Sequence, residues 1–326
     1  MTSVAHYNLL EHIADGDLGE VHRARDTRVG RTVAIKLIPP ALVEDPARRA
    51  RLLEDAQAVS ALSHPNIATL FDVGEADGRL YLAYEFADGR TLGEEMASGP
   101  LHPRRALDIA VQLADAVADA HAHGIVHGDL RLDTIMVTAK GSAKILDFGL
   151  ARWTRGGALR ARAAREPDAL PPEARRVLAY LSPEQAIGGA VDARTDVFTL
   201  GTIIYEMLAG KNPFAGATAA ETVVNVIQGK IAPPSETALG VSPEIDPILL
   251  RALARDLDTR QQSAASFAAE LRSVGAMLDV RTGDATEPSV LMPLDESPDK
   301  AGLGLVLGGL AAAAGAAAVV WWWLSR

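Results

Sequence analysis

Two aspartates are placed for phosphoryl chemistry. Asp129 lies in "HGIVHGDLRLDTIMV" (His123–Val137) and Asp147 in "AKILDFGLA" (Ala143–Ala151), each at the end of an apolar stretch. One carboxylate can take a proton from a hydroxyl nucleophile while the other holds Mg²⁺, the division of labour that phosphoryl transfer requires. Lys36 sits inside "VAIK", where a cation in an otherwise apolar strand is costly without an anionic partner. Upstream, "IADGDLGEV" (Ile13–Val21) reads as strand, glycine-bearing turn and strand. Gly16 and Gly19 carry no Cβ and would let backbone N–H groups lie close to phosphates. A plain hairpin turn uses the same residues, so this segment alone leaves both readings open. Turn and strand lysine together indicate a triphosphate site.

These groups need elements to hold them. "TVAIKLI" (Thr32–Ile38) and "RLYLAYEF" (Arg79–Phe86) are β-branched or aromatic runs bounded by Gly and Asp, which reads as strands. Leu52, Leu53, Ala56, Val59 and Leu62 recur at helical spacing within Pro46–Leu62. Beyond Leu101 the pattern turns helical over Pro103–His123, Arg194–Leu208, Ala219–Gln228, Pro247–Ala254 and Ala264–Met277. A strand-rich small part followed by a helix-rich large part implies an α+β fold of two lobes with a cleft between them, spanning residues 7–277, with lobes at 7–86 and 87–277.

Composition narrows the chemistry further. With 48% hydrophobic and 23% charged residues, the 326-residue chain can bury a core. Its 32 basic and 42 acidic side chains leave a net charge of −10, which argues against a general nucleic-acid binder. There is no Cys, which removes disulfides, zinc–thiolate sites, Fe–S clusters and thiol nucleophiles together.

The motifs in order resemble a bacterial, membrane-anchored, eukaryotic-like serine/threonine protein kinase. The glycine turn, VAIK, HPNI (His64–Ile67), HGD, DFG, SPE and D-x-R-T-D-x-F (Asp192–Phe198) span Ile13 to Arg260. That resemblance implies a two-lobed protein-kinase-like fold, ATP and Mg²⁺ as cofactors, and protein substrates. It places Lys36 on the α/β-phosphates, Asp129 as catalytic base, Arg131 as the catalytic-loop cation, and Asp147 as Mg²⁺ ligand with Phe148 packing beside it. Thr134 stands at the second metal position. Adenine would bond the backbone of Glu85 and Ala87 next to the gatekeeper Tyr84, between Val21, Ala34 and Met136. The phosphates would lie beneath the turn formed by Ile13, Ala14, Gly16 and Gly19. Glu184 would pair with Arg260, and Asp196 would steady the catalytic loop.

The departures from the family pattern are equally specific. Ala14 replaces the first glycine, and Asp55 stands where a helix glutamate would pair with Lys36, one methylene shorter. Thr134 replaces an Asn, a weaker neutral ligand for the second metal, with Asp133 beside it. Gly128 replaces the Arg that meets a phosphorylated activation loop, and Val177 replaces a Thr that contacts the catalytic Asp. Between Arg155 and Leu181 there is no Ser or Thr, whereas Arg160, Arg162, Arg165, Arg175 and Arg176 accumulate. A phosphate switch within that loop is not expected; the arginines read as a solvated loop or as a dock for an acidic partner. The leading expectation is an active kinase. The alternatives are a pseudokinase that binds nucleotide or acts as a scaffold, and a small-molecule phosphotransferase, against which the SPEQ and Asp192–Phe198 motifs stand.

The C-terminal part has a different character. Pro288, Pro293 and Pro298 among acidic and hydroxyl residues mark residues 278–300 as a linker. Ala301–Leu324 carries no charged side chain and, as a helix, would reach about 36 Å at roughly 1.5 Å per residue, enough to cross a membrane. Trp321, Trp322 and Trp323 fall at its end, where aromatic rings favour the interface. Arg281 and Lys300 against Arg326 place the kinase part in the cytoplasm by the positive-inside rule, with almost nothing beyond the membrane. Gly304 and Gly308 form a GxxxG face suited to a homodimer.

Overall fold

The computed structural model describes residues 3–16, 18–154 and 174–282. A six-stranded sheet, with antiparallel pairings throughout, comprises β1 (Ser3–Val4), β2 (Tyr7–Gly16), β3 (Gly19–Asp26), β4 (Thr32–Leu37), β5 (Leu70–Ala76) and β6 (Arg79–Glu85), in the order β1-β2-β3-β4-β6-β5. Strand alternation explains how Lys36 is tolerated in an apolar run. Val33, Ile35 and Leu37 are buried against Tyr7, Ala24, Tyr81 and Ala83, which leaves Ala34 and Lys36 on the opposite face.

Helix α1 (Pro46–Ser60) begins at Asp45, whose carboxylate accepts from Ala47 N–H, with Pro46 in the first turn where no N–H is needed. Its Leu52, Ala56 and Val59 join Leu70, Leu80 and Leu82 of the sheet in the main core. Asp55 therefore lies beside the buried stripe, and Glu54, one step round the helix, is exposed.

The larger lobe is built on α2 (Pro103–Ala122), α3 (Ala193–Ala209), α4 (Ala219–Gln228), α5 (Asp246–Ala252) and α6 (Ala264–Thr282). From Thr195 to Tyr205 every residue of α3 is buried, the signature of a helix packed on all sides. A small sheet joins β7 (Gly89–Thr91) to β8 (Ile135–Thr138) and β9 (Ala143–Ile145), and the last two lie in the chain between the loop that carries Asp129 and the segment that carries Asp147. The sequence places the strands and helices within one or two residues of these bounds at most ends; α6 runs further, to Thr282.

The chain divides into a compact unit, Met1–Leu278, and a second, Asp279–Arg326. Among the described residues no helix is long and apolar enough to cross a membrane. The expected linker beyond Thr282 and the run Ala301–Leu324, with Gly304 and Gly308, lie outside the described residues.

Candidate active site

Asp129 is positioned from below by α3. Asp196, fully buried in the first turn of that helix, accepts from His127 N at 2.8 Å and from Gly128 N at 2.8 Å, and lies 2.8 Å from His121 Nε2. Gln185 Nε2 donates to Gly128 O at 2.8 Å. Asp129 N donates to His127 Nδ1 at 3.1 Å, so the ring carries its proton on Nε2, which donates to Leu146 O at 2.9 Å. One imidazole thus ties the catalytic loop to the segment that carries Asp147. Phe148, 1% exposed, packs edge-on against the same ring at 4.8 Å. Gly128 adopts φ +70°, a left-handed conformation that a side chain disfavours. The glycine that replaces an Arg here is conformationally suited to its place.

A second buried pair braces this scaffold. Arg260 donates two hydrogen bonds of 2.9 Å to the two carboxylate oxygens of Glu184, which also accepts from Thr195 Oγ1 at 2.7 Å. Burial alone would raise the Glu184 pKa, yet the bonds from Arg260 and Thr195 hold it below the ordinary 4.5. Both expected structural roles, for Asp196 and for Glu184 with Arg260, are present.

Above the loop lies a cavity of about 660 Å³. Ile13, Ala14, Gly16, Val21, Ala34, Lys36, Tyr84, Glu85, Ala87, Arg131, Thr134, Met136 and Asp147 all line it. Gly19 is outside that lining. Its φ is +118°, and a Cβ there would come within 2.1 Å of Leu37 O, so glycine serves the crossing of β3 and β4. Asp129 also stands outside the lining, 5% exposed, linked to it through Arg131 Nε at 3.4 Å. The Tyr84 hydroxyl is buried without a hydrogen-bond partner among the described residues; burial, then the charge of Asp147, pushes its pKa well above the ordinary phenol value. The Thr134 hydroxyl donates to Arg131 O at 3.0 Å and accepts from Arg131 N at 2.9 Å, closing the loop's 3₁₀ turn.

The expected ion pair between Lys36 and Asp55 is not made. Lys36 Nζ bonds Asp147, which sits at φ +58°, and Asp55 accepts from Trp153 Nε1 at 2.8 Å. The physical reason is a 3₁₀ turn, Ala151–Trp153, that carries the indole onto α1. The next residue completes the departure: Thr154 Oγ1 donates to Asp129 Oδ2 at 2.6 Å. Where the resemblance led to expect a hydroxyl contact to Asp129, Val177 offers none, and Thr154 supplies one from another position. Thr154 immediately precedes the hydroxyl-free interval of the loop, and nothing in its local sequence points to a residue 25 positions away.

A second cavity, of about 290 Å³, is lined by Arg131, Asp133, Arg175, Arg176, Val177, Tyr180 and Glu206 among others. Burial raises the Glu206 pKa, against the hydrogen bonds it accepts from Tyr180 (2.7 Å) and Asn212 (3.1 Å). Arg160, Arg162 and Arg165 lie outside the described residues.

The family profile described as "Protein kinase domain" matches residues 7–270. This chain belongs to the protein kinase family. Among similar curated proteins, the serine/threonine-protein kinase PknB of Mycolicibacterium smegmatis is 38% identical over 272 residues, covering 81% of this chain and 42% of the relative. PknB of Mycobacterium tuberculosis is 37% identical over 282 residues, covering 83% of this chain and 44% of the relative. PrkC of Bacillus subtilis is 33% identical over 268 residues, covering 82% and 40%. The chain therefore spans less than half the length of these relatives. Its fold matches the crystal structure of the Mycobacterium tuberculosis PknI kinase domain with a TM-score of 0.63 at 24% identity, over 83% of this chain and 97% of that one.

Proposed function

We propose that this protein kinase transfers the γ-phosphoryl group of ATP to a serine or threonine hydroxyl of a protein, with Mg²⁺ as the divalent cation. The observation that carries the reading is that Lys36, Asp147 and Arg131 converge on one cavity while Asp129 is fixed beside Arg131. The donor set suits the cofactors: Asp147 offers the hard carboxylate oxygens that Mg²⁺ takes, and Lys36 offers the cation that phosphates require. When bound, Mg²⁺ and ATP supply the phosphoryl group and neutralise charge on its oxygens.

The chain's own residues do the rest. Lys36 holds the α/β-phosphates. Asp129 accepts the proton of the acceptor hydroxyl, and Arg131 offsets charge at the transferred group. Ala34, Val21 and Met136 enclose the adenine, whose edge meets the backbone of Glu85 and Ala87 next to Tyr84. Ile13, Ala14 and Gly16 cover the phosphates. Asp147 is the metal ligand, and Thr134 is the neutral oxygen at the second metal position. Ala301–Leu324 anchors the kinase at a membrane with its catalytic part in the cytoplasm, and the Gly304/Gly308 face offers a homodimer contact. Regulation does not run through phosphate on the Arg155–Leu181 loop.

The test incubates the full chain with Mg²⁺, γ-labelled ATP and a generic acceptor protein, beside Asp129→Asn. Label transfer that is lost in the variant supports the reading. Equal background in both overturns it.

A further inference from the structure

The nucleotide proposed above is read at two places far apart in the chain, Glu85–Ala87 for the adenine edge and Asp147 for the metal. Phe86, Ala87 and Asp88 belong to no strand or helix, so the height of their backbone is set by where β6 ends, at Glu85. That residue is held twice. Its N–H donates to Thr69 O at 2.8 Å, and its carboxylate is gripped by Lys144, whose Nζ lies 2.8 Å from Oε1 and donates to Oε2 at 2.9 Å.

Lys144 is itself anchored on the strand that leads to the metal ligand. It is the middle residue of β9, between the fully buried Ala143 and Ile145, and stands opposite Met136 in the small sheet. Its ammonium also donates to Pro65 O at 2.8 Å. The HPNI segment is stitched to β9 on both sides of it. Asn66 Nδ2 donates to Ala143 O at 2.7 Å, Ile145 N donates to Asn66 O at 2.8 Å, and Ala68 N donates to Ile145 O at 2.9 Å. Gln112 of α2 completes the set, its Oε1 accepting from Asn66 Nδ2 and from Ala143 N, each at 2.9 Å. Asp147 follows two residues after Ile145. A cation with 15% side-chain exposure among so many fixed backbone groups keeps little water of its own, so its place depends on the carboxylate it meets.

We propose that Lys144 is a positioning residue for the nucleotide: through Glu85 it refers the adenine-reading backbone to β9, the strand that leads to Asp147. Lys144 lines neither cavity. Backbone hydrogen bonds to a base edge hold only within about 2.7–3.2 Å, so a small displacement of Glu85–Ala87 costs them. The inference rests on the kinase reading and gives the HPNI segment a part in it.

Lys144→Met keeps the reach of the side chain and removes the ammonium. Two affinities are measured by calorimetry on the full chain: for a non-hydrolysable ATP analogue with Mg²⁺, and for adenosine alone. Lys144→Met is expected to weaken both by about tenfold, the low end of what a hydrogen bond to a charged group contributes. Lys36→Met, at the phosphate end, weakens the analogue and leaves adenosine unchanged. Lys144→Arg keeps a cationic donor and recovers most of the adenosine affinity. Glu85→Gln lowers adenosine affinity in the same direction as Lys144→Met and serves the same test if that variant does not fold. The double variant of Lys144 and Glu85 loses no more than the larger single loss, because both break one contact. In phosphate transfer, Lys144→Met raises KM for ATP far more than it lowers kcat, a split that general loosening of the fold would not give.

Wild-type adenosine affinity in Lys144→Met and Glu85→Gln overturns the assignment. So do losses that add in the double variant, which would make the two residues independent. If the variants lose adenosine while no protein transfers phosphate, the positioning role stands and the transfer reading falls. If wild type transfers phosphate and the variants bind adenosine as it does, only the positioning role falls. Wild type that binds neither adenosine nor the analogue overturns both.

Discussion

The floor of the catalytic loop and the roof of its cleft are made from the same kinds of residue, carboxylates and cations, yet they behave as opposites. In the floor, Asp196 and Glu184 are buried, and the backbone N–H, Thr and Arg donors around them belong to rigid helices and turns. In the roof, Lys36 and Asp147 retain some solvent access, Asp55 takes an indole, and the Tyr84 hydroxyl has no partner among the described residues. Burial with complete hydrogen bonding leaves the floor a single arrangement, because any other would strand a charge away from water. The Lys36–Asp147 pair keeps some contact with water, so a change of partner there strands less charge than in the floor. A kinase-like molecule can thus carry its fixed and its exchangeable electrostatics a few residues apart.

The largest effect should come from breaking the floor. Arg260→Met removes both bonds that the buried Glu184 accepts from the guanidinium and should cost about 3–5 kcal/mol of unfolding free energy, measured by denaturant titration. A loss below about 1 kcal/mol, the scale of an ordinary exposed pair, would erase the distinction between floor and roof. The pH profile sharpens it. Because the Glu184 pKa is lowered in the folded state, its contribution is present above the unfolded value of 4.5 and is lost as pH falls through the folded value. Thermal midpoints should drop more steeply on acidification below 4.5 in wild type than in Glu184→Gln.

Gly128→Ala tests the turn that the floor imposes on the catalytic loop. At φ +70° it should cost about 1–2 kcal/mol, even though the new Cβ would meet Ala151 at an ordinary 3.4 Å. Circular-dichroism melts would read it; no cost would mean that the loop conformation is not held by Asp196. The smallest effect belongs to the roof. Tyr84→Phe removes an unpartnered buried hydroxyl and should be neutral or stabilising by up to about 1 kcal/mol by the same melts. Destabilisation would show that the hydroxyl is engaged and that the roof is as fixed as the floor.

Much of this molecule was legible in one dimension. The β-branched run at Thr32–Ile38 and the helical spacing at Pro46–Leu62 placed Lys36 and Asp55 on the right elements, because residue type and spacing report which kind of element buries an apolar side. Thirteen of the site residues named from motifs do line the main cavity, from Ile13 to Asp147. The roles of Asp196 and of Glu184 with Arg260 were readable only through the family resemblance, and the folded chain makes both sets of contacts.

What escaped the sequence was the choice among partners of similar chemistry. Lys36 has two acids to choose from, and Asp129 has two positions from which a hydroxyl could arrive. Motif order names the candidates but carries no distance between α1 and the Ala151–Trp153 turn. Only their packing decides that Trp153 reaches Asp55 and Thr154 reaches Asp129. The sequence by itself determines which groups can pair, through type and periodicity. The tertiary structure decides which of them do, because hydrogen bonds fall off within an ångström or so of their proper length, and only the folded chain sets distances that fine.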